Sequence, residues 1–150
     1  MGFVNGGIIM TVTFFGHNDT PKEIESPLKA VLIDLIENHK STEFYVGNNG
    51  SFDTMVHQQL EELSHIYHIN YSIVLAYLPV NNIYGNNTVY PEGIETVPKR
   101  FAISYRNKWM IEQSDTVVTY VIHSFGGARQ FKDIAKKKGK KVIELSEQTN

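Results

Sequence analysis

Short β-rich runs alternate along this chain with longer stretches whose apolar residues recur at helical spacing, and no other feature restricts the fold as much. Residues 10–15 (MTVTFF) are β-branched and aromatic and stop at Gly16. Leu28, Val31, Leu32, Leu35 and Ile36 then fall on one face of a helix, with Ser26 read as its cap and Pro27 as its first-turn proline. Residues 43–46 (EFYV) form a second run ending at Gly47, followed by a helical stripe of Phe52, Met55, Val56, Leu60, Leu63 and Tyr67. A third strand is predicted at 71–77 (YSIVLAY), then one long loop over 78–99, where three prolines, two glycines and four asparagines leave no usable period. Such loops often act as lids or binding segments. A helix at about 100–113, a strand at 116–122 (TVVTYVI), a helix at about 127–138 and a strand at 141–145 (KVIEL) complete the alternation.

Five strands separated by helices predict an α/β fold, a Rossmann-like three-layer sandwich with a five-stranded parallel sheet, because each crossover packs its apolar stripe back onto the sheet. A chain of 150 residues suits one domain. That domain is expected over 10–150, with residues 1–9 as a flexible N-terminal extension that lacks the basic start and apolar core of a signal peptide. The run KKKGKK at 136–141 reads as cations in a last helical turn with Gly139 as the stop.

Composition narrows the function. At 41% hydrophobic residues and with no long apolar run, no membrane partner is expected. A formal net charge of −2 lacks the basic footprint of a duplex binder, so no long nucleic acid is expected either. With no Cys there is no disulfide, thiolate metal site or cysteine nucleophile, which suits a cytoplasmic protein. The six histidines lack metal-ligand spacing, so neither a metal nor a cofactor is expected.

In open parallel sheets ligands sit beyond the carboxyl ends of the strands. That rule selects three loops: Gly16, His17, Asn18, Asp19 and Thr20 after the first strand; Gly47, Asn48, Asn49, Gly50, Ser51, Phe52 and Asp53 after the second; His123, Ser124, Phe125, Gly126 and Gly127 after the fourth. Glycines there let backbone amides approach a phosphate, although the same residues also serve plain turn geometry. No loop carries the dinucleotide fingerprint or a P-loop lysine, which disfavours an ordinary dehydrogenase or P-loop hydrolase. Arg106 projects from a partly apolar helical stripe, so its guanidinium needs an anion: Asp115, Glu112 or a ligand phosphate. Phe101, Tyr105 and Trp109 at spacing four read as core rather than as a stacking platform. His17 and His123 divide between ligand contact and local packing, and Asp53 between a site carboxylate and a helix-dipole partner.

These loops, with the segment RFAISYRNKWMIEQSDTVVTYV, resemble the SLOG superfamily, which groups the lonely guy phosphoribohydrolases, DNA-processing protein A and many small bacterial and phage proteins. FFGHNDTP, FYVGNNGSFDTMV, LAYLP, RFAISYRNKWMIEQSD and SFGGA carry the likeness, which spans most of residues 11–145. It implies a Rossmann-like domain that binds a nucleotide or an ADP-ribose-type signalling molecule as sensor or sponge, with the Arg106-Asn107 pair lining the pocket. Homo-oligomers are implied as well. The hydrolase pattern of that superfamily ends in a glutamate, and Phe131 falls in its place here. Binding without turnover is therefore the leading expectation, with N-glycosidic hydrolysis of nucleoside monophosphates by Arg106 with Asp53 or Glu112 as the alternative.

Overall fold

Strands that are apolar on both sides must be covered on both sides, and this chain does so by sending pairs of helices to opposite faces of one sheet. The computed structural model describes residues 2–4, 7–77 and 87–148. In chain order the elements are β1 (Gly2–Val4), β2 (Gly7–Gly16), α1 (Glu25–Asn38), β3 (Ser41–Val46), α2 (Ser51–Ser64), β4 (Asn70–Val74) and β5 (Thr88–Val89). They continue with α3 (Ala102–Gln113), β6 (Thr116–Tyr120), α4 (Gly127–Lys137) and β7 (Lys141–Glu144).

Six strands run parallel in the order β5-β4-β3-β2-β6-β7, and β1 pairs antiparallel with the start of β2. The sheet therefore has six parallel strands, not the expected five. The sixth is β5, inside the segment read as a single loop; two residues are too few to show any alternation. Short 3-10 turns at Ile94–Thr96 and Lys99–Phe101 further divide that segment. Residues 78–86 of the expected lid lie outside the described residues. Strand β6 stops at Tyr120 and β4 at Val74, both earlier than their apolar runs suggest, although Leu75 stays in the core and still donates its N–H to the Val89 carbonyl at 2.9 Å. Helix α1 begins at Glu25 behind a 3-10 turn at Lys22–Ile24, so Ser26 and Pro27 lie within its first turn and Ser26 is not its cap. Helix α4 ends as expected, with Gly139 at a φ of 75° just past its last lysines.

Alternation along β2 divides the core. Val12 and Phe14 face α1 and α2, packing with Leu28, Leu32, Phe52 and Leu60. Phe15 faces α3 and α4, packing with Met110, Ile111, Phe131 and Ala135. Burial of several such side chains at about 1.5–3 kcal/mol each holds both helical layers on the sheet. Trp109 packs half-buried against the second cluster, edge-on to Tyr45. Phe101, expected in the core, is instead exposed beneath the Arg100 guanidinium. Tyr105 is half-buried and donates its hydroxyl to the Glu92 carbonyl at 2.6 Å.

From β2 the chain steps outward through β3 and β4 to β5, then returns to the other flank of β2 as β6 and β7. The connections leaving β2 and β6 thus diverge to opposite faces, although Gly16 and Tyr120 stand side by side in register. A crevice opens at that reversal, as strand order alone dictates.

Candidate functional site

Two adjoining hollows occupy this crevice and share Gly16, Asn49, Gly127 and Ala128 in their walls. The inner one, of about 160 Å³, lies over Phe14, Phe15, Met110 and Phe131 and is bounded by Asp53, Ile103, Arg106 and Asn107. The outer one, of about 450 Å³, is bounded by His17, Asn18, Asp19, His123, Phe125 and Gly126.

Arg106 is delivered to the inner hollow by α3, where neighbouring Met110 and Ile111 anchor the helix in the core. It is only 2% exposed. Its Nη1 donates to Asn48 Oδ1 at 2.9 Å and to the Val74 carbonyl at 3.0 Å, and its Nε donates to Asn107 Oδ1 at 2.8 Å. These bonds use Nε and Nη1; Nη2 has no protein partner among the described residues. Neither expected internal partner is used. Asp115 accepts the Thr11 N–H at 2.9 Å and so closes the start of the β2–β6 pairing. Glu112 pairs with Lys138 at the surface, away from the crevice.

Asp53 approaches from the opposite wall in the first turn of α2, its carboxylate accepting the Asn49 N–H at 2.9 Å. Burial raises its pKa to about 6, against the opposing pull of the Asn49 N–H and the Arg106 charge. Burial likewise lowers the pKa of Arg106, with the Asp53 charge opposing. Gly47 runs between them: a Cβ there would sit 2.9 Å from Asp53 Oδ2 and 3.2 Å from Arg106 Cζ.

The first two loops are locked together. Gly50 has a φ of 101° and its Cα hydrogen points at Asn18, where a Cβ would lie 2.5 Å from the Asn18 Cα. The Ser51 N–H donates to the Asn18 carbonyl at 3.0 Å, and its hydroxyl donates to the Thr20 carbonyl. The N-terminus of α2 is thereby partly used up. In contrast, the first-turn amides of α4 lie open: Gly126 has a φ of 97°, no side chain caps the helix, and a Cβ on Gly126 or Gly127 would meet nothing within 4 Å.

Around the outer hollow the rings of Tyr120, His17, His123 and Phe125 form a continuous series. His17 Nε2 accepts the Ile122 N–H at 3.0 Å, which requires a neutral ring protonated on Nδ1. Burial first, and then the neighbouring His123, lower its pKa, in keeping with that state. Ser124 is exposed on the same turn.

The three selected loops therefore meet at one crevice, and Arg106 and Asn107 reach it from α3. Sequence places Asn49 and Phe125 in the selected loops without distinguishing them as ligand contacts, and gives no sign of the Val74 carbonyl; in the structure the Asn49 amide holds Asp53, and Asn49 borders both hollows. Phe125 alone carried a signal, as a large aromatic set among small polar residues. Phe131 stacks on Phe15 at 5.5 Å, so an apolar ring lies where the hydrolase resemblance would place a carboxylate.

No protein-family model matches the sequence, and no curated protein matches it significantly. Among solved structures the chain is similar to DNA processing protein A from Streptococcus pneumoniae, with a TM-score of 0.70 at 16% identity. The match covers 91% of this chain and 50% of that one, so this chain spans about half the length of its structural neighbour. The fold is thus the Rossmann-like α/β fold of that protein, in agreement with the expectation drawn from the sequence resemblance.

Proposed function

We propose that the protein binds a nucleotide or an ADP-ribose-derived molecule, cyclic ADP-ribose-type signals included, as a sensor or sponge that does not consume it. The observation that carries this reading is Arg106, a buried guanidinium with an uncommitted Nη2 in the same inner hollow that Gly127 and Ala128 of the open α4 terminus border. Backbone amides and a fixed cation converging on about 160 Å³ suit a phosphate group. Asp53 is the one carboxylate among the described residues that border this hollow, and Phe131 adds none. The structural neighbour's name points to DNA, but a formal net charge of −2 gives no support for that partner here.

Thermal melts with AMP, ADP-ribose and cyclic ADP-ribose test the reading: at least one raises the melting temperature of the wild type and fails to do so for Arg106→Gln. Indifference of the wild type to all three overturns it.

One observation favours a second reading, cleavage of the N-glycosidic bond of a nucleoside monophosphate. Burial raises the Asp53 pKa to about 6, toward the range a general acid needs. In that reaction water adds to the sugar carbon while the base departs with a proton. Chromatography for free base after incubation with AMP separates the two readings, and the leading one expects none.

A further inference from the structure

We infer that the outer hollow is a stacking site for a purine base, with Phe125 as its platform, so that a bound nucleotide lies with its phosphate inward at Arg106 and its base outward. This rests on the phosphate reading above and adds the ligand's second half and its orientation.

Volume makes the first argument. Sites for small molecules run from about 300 to 1,000 Å³, and the inner hollow, at about 160 Å³, holds a phosphate and little more. Anything larger must continue past Gly16, Asn49 and Gly127 into the outer hollow of about 450 Å³.

The second argument is the state of Phe125. It is 70% exposed, at the mouth of a crevice. Yet it is not a loose side chain: it stacks on His123 with ring centres 5.2 Å apart and planes 20° apart. His123 in turn lies 4.7 Å from His17, which meets the buried Tyr120 edge-on at 5.7 Å. The hydrogen bond from the Ile122 N–H fixes the His17 ring within this series. A ring held from behind and open in front needs no further ordering to receive a planar partner. A purine offers the larger π-face, and stacking on an aromatic side chain tolerates any base edge.

Calorimetric titration of AMP, CMP and ribose 5-phosphate into wild type, Phe125→Ala, Phe125→Trp and Arg106→Gln tests the inference. AMP should bind the wild type at least about tenfold more tightly than ribose 5-phosphate and more tightly than CMP. That advantage over ribose 5-phosphate should fall toward one in Phe125→Ala and persist in Phe125→Trp. Equal affinities of AMP and ribose 5-phosphate for the wild type, or an advantage untouched by Phe125→Ala, overturn the base site while leaving the phosphate site standing. AMP binding that is unchanged in Arg106→Gln instead overturns the phosphate reading, and the orientation with it.

Discussion

Burying a guanidinium costs several kcal/mol unless its donors are met, and Arg106 meets those on Nε and Nη1 with neutral oxygens rather than with a paired carboxylate, leaving Nη2 over. Its charge is solvated but not cancelled, which is the condition for a cation kept ready for an anion. Replacement by Met should therefore do two things: abolish AMP binding and, by removing the donors that meet the buried Val74 carbonyl and the Asn48 and Asn107 oxygens, lower stability by about 1–3 kcal/mol in denaturant titration. Asp53 makes a separate prediction through pH. Its folded pKa of about 6 lies above its unfolded value, so the folded state holds the extra proton between about pH 4 and 6. This group's favourable contribution is complete below that window and is lost as the pH rises through it, by up to about 3 kcal/mol. Unfolding titrations at pH 4.5 and 7 should show this fall in the wild type and a flatter profile in Asp53→Asn; parallel profiles would contradict the assignment. Residue chemistry was legible where backbone geometry demanded it, as at Gly50. The partners of Arg106 were not, because an asparagine side chain and a strand carbonyl leave no charge pattern in a sequence.

Elements were more legible than partners, since strands and helices announce themselves by period. β2, β3, β6 and all four helices follow their patterns, whereas β5 is too short to have one and the start of α1 is set by a 3-10 turn that overrides the cap signal at Ser26. Also hidden was the tie between α4 and the sheet. Lys132 Nζ meets Glu144 Oε1 at 2.8 Å, both buried, and Glu144 further accepts from the Thr119 hydroxyl and the Val121 and Ser146 amides. Burial alone would raise the Glu144 pKa, but Lys132 and these donors outweigh it and the net direction is down. Its stabilisation is thus present above its unfolded pKa and is lost as the pH falls, opposite in sign to Asp53. Lys132→Met leaves that carboxylate without its cation and should cost about 3–5 kcal/mol in chemical denaturation. At the first two loops, Gly50→Ala forces a positive φ on a side chain aimed at Asn18. We expect a loss of about 1–3 kcal/mol and weaker AMP binding, while a neutral outcome would mean the two loops are not locked.

At the scale of the whole molecule, the crevice is a product of strand order, since its walls come from segments far apart in the chain that meet only at the carboxyl edge. A ligand there bridges the β2, β3 and β6 ends, so its binding energy should appear as global stability. At 100 times its dissociation constant it adds about 2.7 kcal/mol, or about 5–10 °C for a chain of this size. Hydrogen exchange should slow most at the turns following those three strands; protection confined to one of them would argue for a peripheral contact. The placement of β2 has one more consequence. Its neighbour on one flank, β3, follows almost at once, but its neighbour on the other, β6, is the next-to-last strand of the chain. During synthesis, a nascent polypeptide that has emerged only as far as β5 can assemble the α1–α2 side and still leave Phe15 bare to water. Until residues 101–150 leave the ribosome, the α3–α4 face of the sheet is bare and prone to sticking, and the crevice lacks the wall that Arg106, Gly126 and Gly127 supply.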